Sequence, residues 1–347
     1  MKNEKHSPGL DLIRCLAAFL IVIFHSFIQS GFYYIPQMGL SMWFAGSIRW
    51  ISLACIGLFL MLTGYLKSNK TDLYSCYRGF LPVFISYLFC SAISIPVQHF
   101  VFGQKFPLTQ WLKYFLSFNG VSYGWYLSMY LCLTLISPFI NILLKHLTNK
   151  ALLLFAFVLV CISALPGATS WPIAPEFWRN LYPLTYYVLG ATIRRMQPKI
   201  APWVGLILAV AMAFAMGTVS VLSTDGELAS GITWSFHDLW VAFIVVCLFL
   251  SLYKLKIPHR FRKALALGAS GSLGVLMFSH LLDAWCYGLF PWLREPKRYL
   301  LLVLCICIPI YLICLVLGNI LQKCVSRPAR AMENLLQKLP KESLDQK

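Results

Sequence analysis

Long apolar runs alternate with short polar, often basic, intervals along the whole chain. Runs of about 20 residues with few charges are long enough to cross a bilayer as helices. Taken in order, they place spans roughly at 10–30, 48–66, 80–100, 124–144, 149–165, 180–193, 202–222, 236–253, 268–290 and 299–321, ten in all. The first run carries Arg14 and His25 and shows no small-residue cleavage site before the next loop, so it reads as a retained span rather than a leader. The expected fold is all-α, a polytopic membrane bundle of about ten helices over residues 1–322. A short basic tail, 323–347, follows. Between spans, the stretch 101–123 predicts one short interfacial helix around Trp111–Phe118.

Composition agrees with this pattern. Of the 347 residues, 59% are hydrophobic and only 12% charged, and mean hydropathy is +0.72. A soluble domain carries about a quarter charged residues. The net charge of +17 would suit nucleic acid if it were concentrated, but it is spread through short loops. With both termini placed in the cytoplasm, 22 of the 29 lysines and arginines fall inside and seven outside, as positive-inside topology requires. Most of the twelve cysteines lie in apolar spans with no CxxC pair, so neither a disulfide framework nor a metal site is expected. Ten of the eleven tryptophans fall on the outer side of this topology. An interfacial belt explains many of them, yet a one-sided distribution also suits stacking against sugar rings.

Two constellations carry candidate chemistry. In "RCLAAFLIVIFH", Arg14 and His25 are eleven residues apart. At ~100° per residue that is about 20° beyond three turns, so both share one helix face, separated by ~16 Å along the axis. Asp11, three residues before Arg14, can pair with it. Ionisable groups inside a membrane usually face the protein interior or a cavity. In "SGSLGVLMFSHLLDAW", His280 and Asp283 are three apart, a spacing at which the carboxylate can orient the imidazole. Gly268, Gly271 and Gly274 make a small-residue face for close helix packing. From these residues alone, a transporter or flippase of lipid-linked sugars and a membrane enzyme are both open, as is a non-catalytic assembly subunit.

Five pieces in order resemble the membrane-bound acyltransferase 3 family: "LDLIRCLAAFLIVIFH", with the Leu-Asp, arginine, ten residues and histidine of its first span; "GLFLMLTGYL", with Thr63 in place of a serine; "WYLSMYLCLTLISP"; "YPLTYYVLGATI"; and "SGSLGVLMFSH", ending at His280. The resemblance covers about residues 9–320. It implies ten membrane spans in a cell membrane and transfer of an acyl group, acetyl first, from cytoplasmic acyl-coenzyme A. The implied acceptors are hydroxyls of cell-surface glycans or lipid-linked sugars; no metal is expected. His25 matches the family's essential histidine and Arg14 its essential arginine. The catalytic set so implied is His25, Arg14, His280 and Asp283, with Arg14, Arg78 and Lys67 toward the donor. The family often has two or three arginines after its second span; here Arg78 stands with Lys67 and Lys70. No serine-hydrolase-like domain accompanies the spans, so direct acylation, or hand-over to a partner, is expected.

Overall fold

The computed structural model describes residues 7–77, 79–104, 107–168, 174–231, 235–289 and 297–336. Thirteen α-helices dominate the described residues: α1 (Pro8–Gln29), α2 (Gly39–Ser52), α3 (Ala54–Lys67), α4 (Leu73–Tyr77), α5 (Leu81–Phe100), α6 (Leu108–Leu116), α7 (Trp125–His146), α8 (Asn149–Ala168), α9 (Tyr182–Met196), α10 (Pro202–Thr224), α11 (Leu239–Leu252), α12 (His259–Leu289) and α13 (Tyr299–Leu336). Prolines in the first turns of α1, α5, α9 and α10 start helices where a missing N–H costs nothing. Gly31, at a φ of 76°, turns the chain away after α1. The predicted interfacial helix is α6, two residues shorter at its far end.

Every predicted span has a helix at its place. Seven helical stretches among the described residues are long and apolar enough to cross a bilayer, counting α2–α3 as one and α4–α5 as another. α8 and α11 offer shorter apolar segments, and α9 has 15 residues. Three boundaries differ from expectation, one of them the start of α12 at His259 rather than 268. The second span starts at Gly39 rather than 48, and is bent at Leu53. Near the expected start, Arg49 is buried, 1% exposed; it hydrogen-bonds Tyr33 and lies against the ring of Trp50. The last span does not stop at 322 but continues as helix to Leu336.

α1 sits at the centre, packed on α12, α3 and α13. The anticipated small-residue face brings α12 against α13 backbone to backbone, at Gly271, Gly274 and Gly318. Asn319 ties the same crossing together, accepting from Ser270 Oγ at 2.5 Å and donating to the Leu267 carbonyl at 3.1 Å. α3 and α9 cross as closely, Gly64 on Tyr187 and Gly190 on Met61. Arg194 and Arg195, a doublet that reads as a topology signal, also staple helix ends: they donate to the carbonyls of Tyr65 and Leu144.

Candidate active site

The helical phase that puts Arg14 and His25 on one face of α1 also puts Ile21 between them. Arg14 Nη1 donates to Asp11 Oδ1 at 2.7 Å, the predicted pair. Both residues line a cavity of about 660 Å³ open at one end. Lys67, at the end of α3, lines it too; its Nζ donates to Tyr130 Oη at 2.9 Å and lies 5.0 Å from that ring's centre. The extension of α13 supplies Arg330 and Glu333. Three cations against two carboxylates leave the lining net positive, while Phe59, Leu62 and Val83 are among its apolar residues.

Lys67 is held by a buried residue that sequence reading passed over. Asn141 of α7, fully buried, donates to the carbonyls of Lys67 and Lys70 at 3.0 and 2.6 Å. Tyr187 Oη donates to the Asn141 carbonyl oxygen at 2.7 Å, fixing the amide's orientation.

His25 does not line the large cavity. It borders a separate pocket of about 10 Å³, with Phe24, Tyr123, Trp125 and Phe236. The two spaces share three wall residues, Ile21, Tyr126 and Leu276, so one layer of side chains divides Arg14's cavity from His25's pocket. The imidazole stacks on Tyr123, ring centres 3.4 Å apart and 6° from parallel. Its Nδ1 is buried without a well-formed hydrogen bond among the described residues; the Ile21 carbonyl, one turn back, is its backbone neighbour. On the far side of the pocket, Trp125 stands 41% exposed and stacks on Phe236, their centres 5.8 Å apart.

His280 reaches this group through Tyr123, edge-on to its ring at 5.4 Å, and lies within electrostatic reach of His25. Asp283 does not take the role its spacing predicts. Its carboxylate is fully buried, and neither oxygen makes a hydrogen bond among the described residues, to His280 or otherwise. Three residues of helix put the two groups near one face; Asp283 lies within electrostatic reach of Tyr123, Tyr287 and Cys307. The structure therefore brings Arg14 with Lys67, and His25 with His280 through Tyr123, with Asp283 within electrostatic reach of that tyrosine but making no hydrogen bond to His280 among the described residues. Arg78 lies outside the described residues. Arg330, read from sequence as a tail residue on the interface, and Tyr123, read as loop, both border the site; nothing in their local sequence marked either.

No curated protein and no solved structure matches the chain. The family model described as an acyltransferase domain, acyltransferase 3, matches residues 7–319, which include the whole lining of His25's pocket and that of the large cavity up to Gly318, but not the part from Leu321 onward on α13. The chain belongs to the acyltransferase 3 family of membrane acyltransferases.

Proposed function

We propose that the protein transfers an acyl group, acetyl first, from acyl-coenzyme A to a hydroxyl of a cell-surface glycan or lipid-linked sugar, acting in the cell membrane with both termini cytoplasmic. The observation that carries this reading is the shared wall: the cavity with Arg14, Lys67 and Arg330 meets His25's pocket at Ile21, Tyr126 and Leu276. Arginine and lysine at the mouth suit the phosphates of the donor. The apolar lining suits its pantetheine arm, and the ~16 Å from Arg14 to His25 suits an arm reaching from the charged head to the reacting thioester.

In this mechanism His25 is the general base. A neutral imidazole takes the acceptor hydroxyl's proton as that oxygen bonds to the acyl carbon. The carbon–sulfur bond breaks, and the departing thiolate receives the same proton from His25. Atoms and charge balance, and no outside proton donor is needed. Tyr123, parallel to the imidazole, holds its plane. His280 faces the other side of Tyr123 and acts through it. Trp125 and Phe236 offer an aromatic face on the acceptor side of His25, suited to a sugar ring.

The test is loss of radiolabelled acetyl-coenzyme A thioester with purified protein in detergent, with crude cell-surface glycan as acceptor. His25→Ala is expected to lower turnover about 10²–10⁴-fold with coenzyme A affinity kept, whereas Arg14→Ala lowers that affinity. Wild-type protein that neither binds coenzyme A nor consumes the thioester, but moves lipid-linked sugar across vesicles, would establish the transporter reading instead.

A further inference from the structure

The wall between the two spaces separates very unequal volumes. The donor cavity holds about 660 Å³ and the pocket beside His25 about 10 Å³. The second figure is room for a single water-sized group. Most of its lining is bulky: Ile21 and Leu276 are 4% and 7% exposed, and Phe24, Ile56 and Tyr126 stand around it with the smaller Cys55. Ile21 is rooted in the central helix α1, one turn before His25, and Leu276 in α12 beside the backbone crossing at Gly274. Neither backbone can retreat without disturbing a packed helix pair.

We infer that Ile21, Tyr126 and Leu276 form an acyl-length filter that admits an acetyl-sized group to His25 and holds longer acyl chains back in the donor cavity. The inference rests on the donor reading above and deepens it by naming the size of the group transferred. A thioester whose carbonyl carbon lies at the neck places its first methyl in the small pocket, and that methyl fills it. A propionyl or butyryl chain has no space to continue, because Tyr123 lies flat against His25 on that side. A hydrophobic slot discriminates by about 10–200-fold for one methylene when the extra group has nowhere to go. Trimming Ile21 or Leu276 lengthens the slot and removes that penalty, while the cations at the mouth, which hold the donor's head, stay in place.

The experiment measures binding, so it needs no acceptor. S-ethyl-, S-propyl- and S-butyl-coenzyme A thioethers, which cannot be transferred, are competed against radiolabelled coenzyme A on purified full-length protein. The wild type is expected to bind the S-ethyl compound at least ~10-fold more tightly than the S-butyl compound. Ile21→Ala and Leu276→Ala should erase most of that ratio, measured within each variant relative to its own affinity for unacylated coenzyme A, and retained coenzyme A binding shows that the variants fold. Leu276→Val, a smaller cut, should move the ratio part of the way. Ile21→Phe should reverse the trend, losing S-ethyl affinity while coenzyme A still binds. Retention of the wild-type order of affinities in both alanine variants overturns the filter alone. A wild type that binds no coenzyme A overturns the donor reading, and the filter with it.

Discussion

The crossing of α12 and α13 yields the sharpest stability prediction, Gly274→Ala. A Cβ on Gly274 would run into the Cα and backbone nitrogen of Gly318 and the Cys314 carbonyl. All three are backbone atoms that cannot swing aside. Carbon atoms pack at about 3.5–4.0 Å, so the two helices must part by about 1 Å for the methyl to fit. Overpacking of this kind costs about 1–3 kcal/mol. Parting the helices also stretches the Ser270–Asn319 hydrogen bond, worth about 0.5–1.5 kcal/mol. Against these stands the better helix propensity of alanine, about 0.8–1 kcal/mol. The centre of these ranges is a net loss of about 2 kcal/mol. Gly288→Ala, on the same helix with nothing within 4 Å of the new methyl, should instead gain up to about 1 kcal/mol. Sodium dodecyl sulfate titration in mixed micelles reads both changes. The double variant Gly274→Ala/Gly318→Ala should lose less than the sum of its parts, because the first methyl already separates the backbones. Equal stability of the Gly274→Ala and Gly288→Ala proteins, or strict additivity in the double variant, would refute the backbone-contact argument.

Two further outcomes are expected. Arg330→Ala should weaken coenzyme A binding by about tenfold, more at low salt than at high, and leave binding of uncharged pantetheine unchanged; equal losses for both ligands would show that Arg330 acts through packing. Asp72 accepts from the Ser75 backbone N–H at 2.7 Å and from its hydroxyl at the start of α4. Partial burial opposes its ionisation, but these bonds and Lys70 outweigh it and hold the carboxyl below its usual range. A depressed carboxylate stabilises above its unfolded value, near 3.9, and that contribution is lost as pH falls through the lower folded value. The difference in thermal midpoint between wild type and Asp72→Ala should therefore be constant from neutral pH to about 5 and shrink below about 4. A difference that persists unchanged in acid would assign the effect to packing.

The helices and the pairing of Arg14 with Asp11 were legible because each depends on local periodicity alone. Apolar runs of bilayer length, an i to i+3 charge pair, and glycines at helical spacing all write themselves into neighbouring residues. The neck was not legible. Ile21 is one isoleucine in an apolar run, and Tyr126 and Leu276 come from helices more than a hundred residues away; only tertiary packing selects these three from dozens of equivalent side chains. Arg330 failed for a related reason: a basic residue after the last span reads as part of a tail on the membrane interface, whereas the continuous α13 places it in the cavity lining. Asp283 shows a limit of spacing as a guide: it makes no hydrogen bond to His280 among the described residues. Its spacing from His280 permits a contact, but spacing sets which face a residue shares, not which way the side chain turns.

The placement of the chemistry follows a division between rigid and yielding parts. α1 runs unbroken from Pro8 to Gln29, with no proline or glycine between Arg14 and His25. Its apolar stretch is 67% buried, against 22% for α13. Its length from Arg14 to His25 is therefore a fixed ruler of ~16 Å that lipid and loops cannot alter. The helices around the donor cavity differ: α5, α7 and α13 contain Pro96, Pro138, Pro309 and Pro328, each of which removes a hydrogen bond from the helix ladder. An elongated ligand can be admitted by bending those walls while the distance between anchor and base stays constant. Effective catalysis needs that constancy, since an error of about 1 Å between reacting groups costs about 10²-fold. On the proposed mechanism, Arg14 and His25 stand on the proline-free, more buried stretch of α1, while the proline-containing helices line the cavity, so the cavity could open without moving the chemistry.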